Sequence, residues 1–168
     1  VVTKEPMKPL LEVFARVFDD MCGYYGKQGY IAQFERDLDK RGLLSDFKNA
    51  YRDVSGLDWQ LGREQVYLES KNISRAYAIA SRDEPDGTGN ILDGYRAEYK
   101  LSIEDFARNV NEYIQKQEAG YRLNFFVDEV GQYIAGNVKL MTNLQTVAES
   151  LATHCKGRAW LLVTAQED

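Results

Sequence analysis

Apolar residues recur along the first 82 positions at helical spacing. Leu10, Leu11, Phe14, Val17, Phe18 and Met21 fall on one stripe, with Pro6 and Pro9 near its start, where proline is tolerated, and Gly23 as a stop. Two more periodic segments follow, around Ile31–Lys40 and Leu43–Val54, punctuated by Gly29, Gly42 and Gly56. From Trp59 to Ser81 the pattern stays helical through Leu61, Val66, Tyr67, Ile73, Tyr77 and Ile79, with Asn72 and Ser74 as weak points. The first half of the chain therefore predicts a helical region over 1–82.

The pattern then breaks. Asp83-Glu84-Pro85-Asp86-Gly87-Thr88-Gly89-Asn90 is dense in turn formers and has almost nothing to bury, so 83–101 reads as an exposed loop or linker. Ser102 stands where it can cap a helix whose apolar face is Ile103, Phe106, Val110, Tyr113 and Ile114, with Gly120 as its end.

After that helix the period changes. Leu123-Asn124-Phe125-Phe126-Val127 is a short, nearly continuous apolar run, which predicts a strand buried on both faces of a parallel sheet. A helix from about Val138 to Cys155 follows, burying Leu140, Met141, Leu144, Val147, Ala148 and Leu151. Ala159-Trp160-Leu161-Leu162-Val163-Thr164 is a second strand-like run. Strand, helix and strand with a crossover of this length make a parallel βαβ unit, here over 102–168.

Composition narrows the classes. A chain of 168 residues is about one domain, with enough apolar content to form a core. The net charge of −5 argues against broad phosphate-backbone binding, so DNA contact by this segment is not indicated. The 11 tyrosines lack the basic groove that accompanies base stacking and are assigned to packing, as are Trp59 and Trp160. Cys22 and Cys155 show no ligand spacing and read as reduced thiols. No apolar run approaches the roughly 20 residues that span a bilayer, and no leader pattern is present, so a soluble, cytoplasmic protein is expected. Val1 at the start and Gln166-Glu167-Asp168 directly after a strand suggest a segment cut from a longer parent.

The chemistry lies at the strand ends. In an open α/β sheet, ligands collect beyond the carboxyl ends of the parallel strands, where Asp128 and Glu129 close one strand and Thr164 and Gln166 the other. Adjacent Asp and Glu suit ATP hydrolysis. The first can hold Mg²⁺ through a water, and the second can take a proton from the attacking water. The bland alternative is a strand end meeting solvent. His154, near a helix C-terminus, reads as structural. Arg63, Arg75, Arg82, Arg96 and Arg108 read mostly as solvated surface, although any could act as an arginine finger in an oligomer.

Asp128-Glu129-Val130, a helix containing Asn143-Leu144, and a strand ending Val163-Thr164 resemble the AAA+ type of ATPase, in which the strand after Walker B supplies the sensor-1 residue. The segments Phe126–Ile134, Asn143–Thr146 and Ala159–Glu167 are similar to the BrxC/PglY family, large P-loop proteins of BREX bacteriophage-defence systems. Phe14–Phe18 and Phe47–Tyr51 are similar to that family's region between Walker A and Walker B. The resemblance covers most of the chain and is strongest from Asn124 onward.

It implies an α/β fold: part of an AAA+-like P-loop core with a small parallel sheet and a large helical insertion. It implies a cytoplasmic bacterial ATPase that uses ATP and Mg²⁺ and acts with other BREX components. On that basis Asp128 matches the metal carboxylate and Glu129 the catalytic base, while sensor 1 is Thr164 or Gln166.

No Gly-x-x-x-x-Gly-Lys-Ser/Thr loop is present; Gly23-Tyr24-Tyr25-Gly26-Lys27-Gln28 has the wrong spacing and no hydroxyl, and Gly87-Thr88-Gly89-Asn90 has no lysine. The segment alone is therefore expected to be inactive, and its open sheet edge to favour self-association. A nucleotide-gated switch or scaffold, and a non-enzymatic helical interaction module, are the alternatives.

Overall fold

A computed structural model of the chain describes residues 7–82, 89–128 and 138–164, with side chains from Leu10 onward. Among these residues the protein is mostly helical, with one small parallel sheet, an α/β composition. In chain order the elements are α1 (Met7–Met21), α2 (Gly29–Lys40), α3 (Leu44–Ser55), α4 (Trp59–Gly62), a 3-10 turn (Arg63–Gln65), α5 (Ser70–Ser81), α6 (Ile91–Glu98) and α7 (Ile103–Gln115). They continue with β1 (Leu123–Val127), α8 (Val138–Cys155) and β2 (Ala159–Val163). No helix among the described residues is long and apolar enough to cross a membrane. The chain divides into two compact units, Val1–Ala15 with Leu101–Asp168, and Arg16–Lys100.

The sheet unit follows the predicted order of elements. Ser102 takes an extended backbone and its hydroxyl accepts from Asp105 N at 3.0 Å, capping α7. β1 and β2 pair in parallel, with Leu123 opposite Ala159 and Val127 opposite Val163. Phe14, Phe106 and Phe125 form an aromatic trio, with ring centroids 5.7 to 6.2 Å apart, under the covered face of the sheet. Val110, Ile114, Leu144, Val147, Leu151 and Cys155 are buried in the same unit.

Burial on both faces of β1, expected from its apolar run, does not occur. Leu123 and Phe125 are buried, whereas Asn124 is exposed and Phe126 is 73% exposed. Trp160, opposite Asn124, is 56% exposed, so it is not a packing residue among the described ones. The burial follows the period of 2 that a strand imposes, because the described helices cover one face of the sheet and leave the other open. An apolar run reports affinity for burial, and does not say whether a second layer is there to provide it.

The helical unit is built around Phe34, Phe47, Tyr51 and Trp59, whose rings meet at 5.0 to 6.3 Å, edge to face except for the stacked Phe47–Tyr51 pair, with Ile31, Leu38 and Ile73 fully buried beside them. The stretch Trp59–Ser81 is not one helix. After Gly62 the backbone tightens into a 3-10 turn, and Tyr67 and Leu68 point to solvent before α5 begins. Gly62 lies so close to Tyr51 that a Cβ there would sit 2.1 Å from the phenol oxygen, and the same phenol donates to Glu69 at 2.8 Å.

The stretch 83–101 holds a helix. Residues 83–88 lie outside the described structure, but Asn90 caps α6 by accepting from Leu92 N, and Leu92 is buried in the helical core. Tyr95 adds an edge-to-face contact with Phe34 at 5.3 Å. Eight residues with one buried leucine carry too short a period to stand out after a run of turn formers.

Candidate active site

Because β1 and β2 run parallel in register, their last residues, Val127 and Val163, lie opposite each other at one edge of the sheet. The residues that follow, Asp128 and Thr164, are therefore neighbours although 36 positions separate them. Thr164 N donates to Val127 O at 3.0 Å, extending the ladder one step beyond the paired strands. The Thr164 hydroxyl donates to Asp128 Oδ1, and both residues are exposed. Of the four residues assigned to this edge from sequence, the structure brings these two together. Glu129 and Gln166 lie outside the described residues.

Among the described residues no three His, Cys, Asp or Glu side chains cluster in a way that could hold a metal ion by themselves. One exposed carboxylate with a hydroxyl beside it does not make an all-protein metal cage. It does suit Mg²⁺, which keeps several waters and is usually bound through one or two carboxylates together with substrate phosphates. Asp128 is thus able to contribute to a nucleotide-borne Mg²⁺.

Several of the remaining candidates make contacts within their own units. His154 Nδ1 sits 2.9 Å from Ser150 O on its own helix. The Cys155 thiol is buried against Ala107 O, and burial pushes its pKa up, the opposite of a reactive thiolate. Arg108 pairs with Asp105 at 2.7 Å, and Arg96 lies over the rings of Tyr30 and Tyr67 at 5.3 and 4.6 Å.

A buried polar cluster in the helical unit went unanticipated. Glu35, 1% exposed, accepts from Tyr25 N at 2.5 Å, from Trp59 Nε1 at 2.6 Å and from Arg63 NH1 at 2.9 Å. Arg63 is therefore a largely buried partner and not solvated surface. On the adjacent helical position, Arg36 pairs with Asp19, both side chains being 8% exposed. Burial raises the Asp19 pKa above its usual value, and Arg36 only partly offsets this. Burial, then the hydrogen bond to Glu64, pushes Tyr25 up to about 12.

The signal for Glu35 was in the sequence. It stands four residues after Ile31 and three before Leu38, on the apolar stripe of α2, where a carboxylate must find partners. Three donors answer that need, and they tie α2 to the preceding loop, to α4 and to the 3-10 turn. The cluster is an internal brace of the helical unit.

No family model matches the chain, and no solved structure matches it. The class that the described residues define is an α/β protein, mostly helical, with a two-stranded parallel sheet whose polar edge carries Asp128 and Thr164.

Proposed function

We propose that this chain is the Walker B half of a bacterial P-loop ATPase of the BrxC/PglY kind, working in the cytoplasm with other BREX components in defence against bacteriophage. The observation that supports it most is the pairing of Asp128 with Thr164 at the shared carboxyl edge of two parallel strands. That edge is where open α/β sheets bind ligands.

Mg²⁺-ATP, when bound, supplies the phosphoryl group to be hydrolysed and the metal that neutralises its charge. Asp128 holds the metal through its carboxylate, directly or through water. Glu129, the next residue, takes the proton of the attacking water, and Thr164 or Gln166 provides the polar contact from the neighbouring strand. The phosphate loop that would cradle the phosphates has no counterpart in this sequence, so it comes from another part of the parent protein. The chain by itself binds ATP weakly and does not turn it over.

The test uses the parent protein, with ATP binding and hydrolysis measured separately. Glu129→Gln is expected to keep binding and lower turnover by roughly 10²- to 10⁴-fold, the usual contribution of a general base. Turnover equal to that of the unsubstituted parent would remove Glu129 from the mechanism. A parent with no phosphate loop would end the ATPase reading altogether.

A further inference from the structure

The Thr164 hydroxyl makes its observed bond to a carboxylate, and that constrains what else it can do. Pairing Val127 with Val163 sets Asp128 and Thr164 side by side. The bond from Thr164 N to Val127 O, 3.0 Å long, pins the threonine backbone at that register. The hydroxyl then donates to Asp128 Oδ1. A threonine hydroxyl carries a single proton, so a hydroxyl donating to Asp128 cannot at the same time donate to a phosphate oxygen. The acceptor is anionic, which strengthens the bond relative to a neutral pair, and the branched Cβ leaves the hydroxyl few orientations to choose from.

We propose that Thr164 is a positioning residue that fixes the Asp128 carboxylate in the orientation needed for metal binding, and that contact with the terminal phosphate or attacking water falls to another side chain. What Asp128 is held ready for rests on the ATPase function proposed above; the Thr164–Asp128 latch itself rests on the sheet register and the two hydrogen bonds.

The test is made on the whole 168-residue chain, isotopically labelled, by measuring side-chain couplings that report χ1 of Asp128 and Thr164. Valine at 164 keeps the shape and loses the proton, whereas serine keeps the proton. Asp128 is expected to occupy one rotamer in the wild type and in Thr164→Ser, and to average between rotamers in Thr164→Val. Protection of the residue-164 amide from exchange reports whether the strand pairing survives the change. Should Thr164→Val disturb that pairing, Asp128→Ala gives the reciprocal measurement, with Thr164 χ1 ordered in the wild type and averaged in the variant. An Asp128 rotamer unchanged in Thr164→Val, or a Thr164 rotamer unchanged in Asp128→Ala, overturns the latch.

Mn²⁺ alone, added as a paramagnetic probe, separates this inference from the proposed function. Broadening centred on Asp128 is expected to need roughly ten-fold more Mn²⁺ in Thr164→Val than in the wild type or Thr164→Ser, the low end of the loss when a metal ligand loses its outer partner. Ordered rotamers in a chain whose parent has no phosphate loop, or keeps full turnover in Glu129→Gln, would leave the latch standing and count against the ATPase function. Normal broadening with an Asp128 rotamer indifferent to Thr164 would do the reverse.

Discussion

Asp19 and Arg36 are a buried pair in which burial, with smaller contributions from Asp20 and Glu35, raises the Asp19 pKa more than Arg36 lowers it. With the folded pKa above the unfolded value, the folded state holds the proton more tightly. Its stability from this group is therefore greatest below the unfolded pKa and declines as pH rises towards the folded one. Replacing Arg36 by Leu removes the one partner that lowers the Asp19 pKa and leaves an uncompensated charge. Urea unfolding is expected to show a loss of roughly 3–5 kcal/mol near pH 7.5. The loss should shrink at a lower pH, because without Arg36 the buried Asp19 binds its proton more readily. An equal loss at both pH values would mean that Asp19 is not the group responsible. Neither the pairing of Glu35 nor that of Arg36 stands out in the sequence, because their partners Trp59, Arg63 and Asp19 come from distant positions that no local pattern links.

At the scale of elements, local chemistry carries far. The predicted α1, α7 and α8 match the observed helices in extent or nearly so, because apolar spacing and end signals are read within a few residues. Ser102 is the clearest example: an extended residue ahead of an apolar run, accepting from Asp105 N. Ser102→Ala is expected to cost about 1 kcal/mol of stability, measured by denaturant unfolding. Ser102→Asn should recover most of it, and a loss under a few tenths of a kcal/mol would show that the cap is redundant. Where elements differ from expectation, the cause is a contact from elsewhere. Gly62 packs against Tyr51 where α4 ends, and Leu92 and Tyr95 reach the aromatic core from α6, inside a stretch expected to be linker.

At the scale of the whole molecule, the described residues leave much of the sheet uncovered. Phe126, Trp160, Leu162 and Val163 are all at least 40% exposed, and a two-stranded sheet has an open outer edge on each strand. The isolated chain is expected to self-associate with rising concentration in sedimentation experiments. Phe126→Ser and Trp160→Ser should each weaken that association by about tenfold, ~1.4 kcal/mol, as loss of an aromatic anchor does. A chain that stays monomeric at high concentration, or variants that associate like the wild type, would refute this. The same open face and edges are consistent with a sheet completed by further strands in the proposed parent.

The sequence by itself determined where most helices start, which two runs become strands, that Asp128 and Thr164 follow those strands, and that no phosphate loop is present. Those are local properties, written in spacing of 2 or 3.6 residues and in caps within four residues of their targets. Tertiary structure alone decided that one sheet face is left open by the described residues, that Glu35 gathers three donors, and that the Thr164 hydroxyl rests on the Asp128 carboxylate. Each of these depends on partners brought together from distant positions, and a strand's own residues specify its two faces without specifying what will cover them.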